Sequence, residues 1–322
     1  IDDNVVFSGG HVFPSGTGVF ITYATDCRVT HNEICDLYYS GISCGWRWGF
    51  DPTPNRNHEI SWNHIHHLGK GVLSDMGAIY TLGDNRGTVI CGNHGEHVWS
   101  YDRTGCGGTG LYADQGSGGI LWTSNLIHHT KTAALNVNYG RDNAFQNNIC
   151  AFTEKPDDAL VGRWTPESNE SMVCSNNVFV YSSQGRAVLC WWRKKPGAVN
   201  DLVFGSNLWW TPGGTKTNDF NRQSLSVWRQ QGLDADSVFE DPGFVDAVRG
   251  DWRLKPGSPA FKIGFREWDY TLAGVRKDDP EWRAKAAAIR PAVCEAAPEP
   301  PRNEGQIVPK KPKEGQNKGG KS

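Results

Sequence analysis

One asparagine recurs along this chain of 322 residues in nearly the same setting: VTHNEI, ISWNHI, ICGNHG, WTSNLI, AFQNNI, CSNNVF and FGSNLW. The asparagines are read as Asn32, Asn63, Asn93, Asn125, Asn147, Asn177 and Asn207, usually with an apolar residue three before and one two after. Successive spacings are 31, 30, 32, 22, 30 and 30. A period of this length means that each repeat is one unit, stable only when it buries its apolar face against its neighbours. The pattern predicts an all-β right-handed parallel β-helix, a solenoid whose coils stack about 4.8 Å apart. Equivalent side chains then form columns, with aliphatics inside and asparagines bonding the amides above and below. The shortest spacing approximates a bare coil, and the longer ones carry extra residues in loops. Helical repeats would need a 3.6-residue apolar period that these segments lack. Propeller blades of about 40 residues fit less well.

The repeat covers residues 1–212 and fades after Gly213. Residues 213–295 read as a capping segment. SLSVWRQQ (Ser224–Gln231) suits a short helix with a serine cap. Asp241–Phe265 suits turns and short edge strands. Asp278–Ile289 suits a helix capped by Asp279, with Pro280 in its first turn. Such elements are expected to cover the open end of the solenoid, where a pairing edge is exposed. Residues 296–322, rich in Pro, Gly, Lys and Gln, cannot form a core and are expected to be a disordered tail. The opening residues IDDNVVFSGG already read as mid-pattern, so a preceding N-terminal portion with further coils is expected.

A net charge of −2 carries no nucleic-acid footprint. No apolar run approaches the roughly 18 residues of a membrane span. Nine cysteines, an odd number without a CxxC pair, point to buried thiols rather than a zinc ribbon. Gly 38 and Trp 14 suit a turn-rich β-architecture and surfaces that stack on sugar rings.

Two acids stand beside similar motifs in successive repeats: Asp75 in LSDMGAIYTLG and Asp114 in GLYADQGSGG. If both project from one face, one coil step separates them. Carboxyls about 5–5.5 Å apart suit a retaining glycosidase, and a wider gap an inverting one. One acid then protonates the leaving oxygen while the other stays charged. Alternatively, each merely closes a turn. Tyr80 and Tyr112 belong to the same motifs. The cluster NVNYGRDN offers Asn136, Asn138, Tyr139 and Arg141 for hydroxyl recognition, with Arg163 on the following coil. Trp46 and Trp48 in CGWRWGF, with Trp99 and Trp191–Trp192, are candidate stacking walls, and the following insert DPTPNRN a candidate cleft loop. Three positions after the asparagines lie Cys35, His66, Glu96, His128 and Cys150, and four after lie Asp36, His67, His97 and His129. Strand stacking, not tetrahedral geometry, sets their spacing, so hydrogen-bonded histidines are expected there and no metal.

LSDMGAIYTLG, GLYADQGS, NYGRDNAFQNNICAF and DPGFVDAVRGDWRLKPGSPAFKIGF together resemble the parallel β-helix proteins of glycoside hydrolase family 141, from Gly18 to Arg276. The resemblance implies α-L-fucosidase- or xylanase-like hydrolysis of plant polysaccharides, without a metal cofactor. It implies Asp75 and Asp114 as the catalytic pair, a polysaccharide or oligosaccharide substrate, a monomer, and a secreted or periplasmic location. The chain departs from the family pattern at Gln115, where relatives carry Glu, and at Asn136 and Asn138, where they carry His. Two alternatives stand beside hydrolysis: a polysaccharide lyase using Arg141 or Arg163 as base, and a carbohydrate-binding solenoid without turnover.

Overall fold

A computed structural model describes residues 1–101, 107–153, 159–165, 167–190, 201–213, 220–276 and 278–291. The chain is a parallel β-solenoid with three long sheets and a two-stranded antiparallel pair. Each coil runs through the three sheets in turn, so neighbours within a sheet come from successive coils. One coil holds Arg28–Thr30, Glu33–Leu37 and Ile42–Gly45, and the next holds Glu59–Ser61, His64–Leu68 and Gly77–Asp84. The sheet of Glu33–Leu37 has eight strands and the other two have seven each. The expected stacked-coil architecture is therefore the one adopted.

Alternation along each strand sends one set of side chains into the solenoid. Val29, Ile60, Ile90, Trp122, Phe145, Cys174 and Phe204 stack in one internal column of the core. Ile42, Ile79, Leu111, Leu135, Val161 and Val188 form another beneath the sheet that includes Gly77–Asp84.

The asparagine column is a continuous ladder. Asn63 accepts at Oδ1 from the Asn32 backbone N–H and side-chain amide, 3.1 and 2.8 Å away, and in turn donates to Asn93 Oδ1 at 2.9 Å. The pattern continues through Asn125 to Asn148, Asn177 and Asn207. Asn4, missed in the repeat, begins it with 3.0 and 3.1 Å bonds to Asn32, and Ser237 closes it at Asn207.

One rung differs from the repeat as read above: the ladder residue is Asn148, not Asn147. The reason is the backbone. The residue before each ladder asparagine is left-handed, as at His31, Trp62, Gly92, Ser124, Asn176 and Ser206. Asn147, at φ 59°, occupies that position, which asparagine tolerates better than most residues. It faces outward and bonds Ser124 and Arg266. The shift also moves Cys150 out of the histidine column: it pairs in register with Ile127 and lies in the core, with Ala151 beside His128 instead.

The C-terminal elements have two roles rather than one. Phe220, Trp228 and Leu233 join the internal core and plug the last coil. Trp228 sits on the helix Leu225–Gln230, which Ser224 caps as expected. Buried Asp234 receives the indole N–H groups of Trp209 and Trp228. The remainder does not cover the end. Phe244, Trp252, Leu254, Ala260, Ile263 and Phe265 pack on outward residues of the eight-stranded sheet, among them Ile149, Val178 and Leu208. The reason is apolar area: those outward positions are aliphatic and need a cover. The segment runs back along the solenoid until Arg276 pairs with Asp2 and the Trp282 indole donates to the Asp3 carbonyl. Trp282 belongs to the helix Pro280–Ala288, capped by Asp279 as expected. The segment expected to be a tail lies outside the described residues. Seven of the cysteines are described, all as free thiols, and five of these are buried.

Replacing Asn148 with alanine strands buried amide and carbonyl groups on the two flanking coils, at Asn125, Trp122 and Asn177, and is expected to cost about 2–4 kcal/mol. Asn147→Ala is expected to cost clearly less, because its lost bonds are solvent-accessible. Urea denaturation of both variants checks this. An equal or larger loss for Asn147→Ala would return the ladder to the register first read from the sequence.

Candidate active site

Gly77–Asp84, Thr109–Gly118 and Leu135–Val137 are neighbours in one seven-stranded sheet. Their register places Tyr80 beside Tyr112 and Tyr112 beside Asn136, all facing outward. The motifs GAIY and GLY are therefore structural equivalents, and the tyrosines are the matched residues. The acids are not matched. Asp75 precedes its strand at φ 58°, whereas Asp114 lies within its strand, in register with Leu82.

The two phenols bring the acids together. The Tyr80 and Tyr112 rings stack with centroids 4.8 Å apart and planes 11° from parallel. Their hydroxyls then reach to opposite acids. Tyr112 donates to Asp75 Oδ1 at 2.8 Å, and Tyr80 donates to Asp114 Oδ2 at 2.5 Å. Each tyrosine thus binds the aspartate of the other coil. Tyr39 donates to the Asp75 backbone carbonyl at 2.9 Å. Asn138 donates to Asp114 Oδ1 at 2.8 Å. An acid that accepts a donor at each oxygen has the hydrogen-bond pattern of a carboxylate. Asp114 is 3% exposed and forms the floor, while Asp75 is exposed on the rim.

Burial and then the two carboxylates push the Tyr80, Tyr112 and Tyr39 phenols above their usual range. Each phenol feels both acids, which places Asp75 and Asp114 in one electrostatic neighbourhood.

The aromatic wall is continuous with this pair. Trp46 lies 5.8 Å from the Tyr80 ring, and Trp48 and Phe20 meet Trp46 edge-on at 5.6 and 5.5 Å. Ser43 accepts from the Trp46 indole at 2.7 Å and fixes its orientation. Trp48 and Phe20 are more than half exposed. The segment after Trp46 lies directly on the sheet. At Gly83 a Cβ would stand 2.2 Å from the Arg47 carbonyl, and at Gly116 2.0 Å from that of Gly49, both at positive φ. Only glycine allows this approach.

Other expected residues are placed differently. Asn136 is buried beside Tyr112 with its Oδ1 unpaired among the described residues, and Tyr139 is exposed nearby. Arg141 bonds Asp84 at 2.7 Å and the Phe50 carbonyl, and lies over the Phe50 ring. It lines a cavity of about 230 Å³ with Arg56, Arg86 and Asp84, which includes neither catalytic candidate. Arg163 is buried at an inward register position beside Val137 and Cys190, and pairs with Asp201. The structure does not bring it to the tyrosine pair. Trp99 follows His94–Val98 of the eight-stranded sheet, where its backbone N–H bonds the Leu68 carbonyl, and is not among the aromatic contacts of the Tyr80–Tyr112 pair. Trp191 and Trp192 lie outside the described residues. Tyr39, Ser43 and Phe20 were not anticipated. Their signal was their register: Phe20 and Ser43 stand in line with Tyr80 on the two preceding strands of the sheet, and Tyr39 comes just before the second of them.

No family model matches the sequence, and neither does any curated protein. A solved structure described as "Glycoside hydrolase" is similar with a TM-score of 0.42 and 28% identity, over 46% of this chain and 24% of that one. The chain thus spans about a quarter of that protein's length, and the similarity is partial.

The buried phenols give a pH signature. A raised folded-state value means that stability is intact below the unfolded tyrosine value, near 10, and falls as pH rises above it. Ultraviolet titration is expected to leave Tyr39, Tyr80 and Tyr112 protonated at about pH 11 in the folded protein. Tyr80→Phe is expected to shrink that protected fraction. Simultaneous ionisation of all nine tyrosines without unfolding would contradict the crossed pair.

Proposed function

We propose that the chain is a glycoside hydrolase acting on a complex polysaccharide, with Asp75 and Asp114 as the two working acids. The observation that carries this reading is the crossed tyrosine–aspartate arrangement, which gathers two carboxyl groups from successive coils beside an exposed aromatic wall. Acetal cleavage needs a proton for the departing oxygen and negative charge near the anomeric carbon. Asp75, exposed on the rim and bonded to Tyr112, acts as acid and then base. Asp114, flanked by Tyr80 and Asn138, acts as the fixed carboxylate below the sugar ring. Trp46 and Trp48 offer faces for the apolar sides of sugars. Asn136 and Tyr139 supply polar groups for hydroxyls. Activity of fucosidase or xylanase type, and a secreted or periplasmic setting, belong to this same proposal.

The lyase alternative is weaker because Arg141 and Arg163 are each committed to a carboxylate, Asp84 and Asp201. A lyase base must be free to take a proton beside a uronate carboxylate.

Reducing-sugar release from a panel of xylans and fucosylated polysaccharides tests the proposal. Asp75→Asn and Asp114→Asn are each expected to lower kcat/KM about a hundred- to ten-thousand-fold with the fold intact by circular dichroism. Near-wild-type turnover in either variant would remove that residue from the chemistry. A product absorbing in the ultraviolet, as an unsaturated uronate does, would replace hydrolysis by elimination, and glycan binding without any cleavage would leave a binding solenoid.

A further inference from the structure

A different face of the solenoid carries a dense set of metal-ligating side chains. Residues two apart on a strand share a face, and parallel register stacks them across coils. On the outer face of the eight-stranded sheet, Glu33, His64 and His94 are in register, and so are Cys35, His66, Glu96 and His128. The sequence expectation of metal-free histidines weighed positions three and four after the asparagines. Glu33, His64 and His94 come one position after, and they turn a column into a two-dimensional array.

Within the array, three ligand atoms converge. Glu33 Oε1 lies 2.9 Å from His64 Nδ1 and 2.7 Å from His66 Nε2. We propose that Glu33, His64 and His66 bind one divalent transition-metal ion of the zinc class, which clips two successive coils together. The ligand atoms all lie within 4.8 Å of one another. Zinc–ligand bonds of about 2.1 Å set tetrahedral ligand atoms roughly 3.4 Å apart, so the two Glu33 contacts must open by roughly 0.5–0.7 Å to admit the ion. Two imidazoles and one carboxylate favour zinc, cobalt or nickel over magnesium or calcium.

The surroundings are those of ligands held for a metal. A ligating histidine usually has its second nitrogen fixed by a hydrogen bond. His64 turns Nε2 to Glu96 Oε1 at 3.0 Å, and His66 turns Nδ1 to His67 Nδ1 at 2.7 Å. A second triad, His64, His94 and Glu96, also converges. The first triad is favoured because a single carboxylate oxygen, Glu33 Oε1, already meets both of its imidazoles. The returning C-terminal segment roofs the site. Gly274, at φ 88° and bonded to the Trp62 carbonyl, passes so close that a Cβ would lie 2.7 Å from Glu33 Oε2. An ion there links two coils beneath the strap that covers them. The site is independent of the aspartate pair, which lies on another sheet.

The untagged full chain, stripped with chelator, is to be titrated with cobalt and then zinc. The expected result is one equivalent per chain and the intense visible absorption of a four-coordinate cobalt site, which zinc bleaches. Zinc is expected to raise the thermal midpoint. Glu33→Gln and His66→Gln are each expected to weaken binding at least about tenfold, while His31→Gln retains it. Equal affinity in wild type and Glu33→Gln would overturn the assignment. If the variants do not fold, the wild-type cobalt spectrum decides alone: a pale six-coordinate spectrum, or no saturable binding, overturns the proposal.

Discussion

A buried asparagine amide has two donors and an acceptor that must be satisfied without water. Here the coils on either side supply most of the partners. Asn63 is fully buried, accepts from Asn32, and donates both to Asn93 and to the Val29 carbonyl. This bond does what apolar stacking does not. Aliphatic columns tolerate sliding, because one contact resembles the next. An amide that loses its partner costs about 1–3 kcal/mol per stranded group. The ladder therefore pins coil register, and a one-residue slip in a strand would turn its outward residues inward. Both side-chain arrays depend on that pin. Tyr80 meets Tyr112, and Glu33 meets His64, because the coils beneath them cannot shift.

The architecture was legible because the ladder repeats with a visible period. Its one misreading is instructive. Asn147 and Asn148 are adjacent, as are Asn176 and Asn177, and either member of each pair fits a loose pattern. The apolar residue three before decides between them. Ala144 precedes Asn147 by three and Phe145 precedes Asn148, and the neighbouring coils place large core residues such as Trp122 and Ile90 there. A left-handed residue just before the ladder supplies the second criterion, since Asn, Gly, Ser, His or Asp stands at that outer position on every coil but that of Trp62.

The aspartates stood out in sequence as acids beside apolar runs, but their arrangement did not. Shared motifs suggested that Asp75 and Asp114 occupy equivalent positions one coil apart. The equivalence belongs to the tyrosines, and the acids reach them from opposite ends of the strand. Periodicity reports which residues stack; it does not report where a residue in an irregular turn, such as Asp75 at φ 58°, will point. The arginines show the same limit from the other side. Alternation does predict that Arg163, in register with Val137, faces inward. Its partner Asp201 lies nearly 40 residues on in the chain, so no local pattern announced that the charge was matched.

The solenoid has no single centre, so its faces take on separate work. The face with Tyr80 and Tyr112 keeps exposed aromatics and an exposed acid. The face with the histidine array is sealed along its apolar half by Trp252, Phe265 and their neighbours, while its polar half keeps the imidazoles and glutamates close under Gly274. That division follows from what each outward column contains. Leu126, Ile149, Val178 and Leu208 must be covered, and the chain returns to cover them. Having come back that far, the strap continues over His64 and Glu33 to the first coil, where Arg276 meets Asp2. The cover that hides apolar surface thus also passes over the histidine–glutamate cluster, so its partial shielding from water comes from packing demands further along the same sheet.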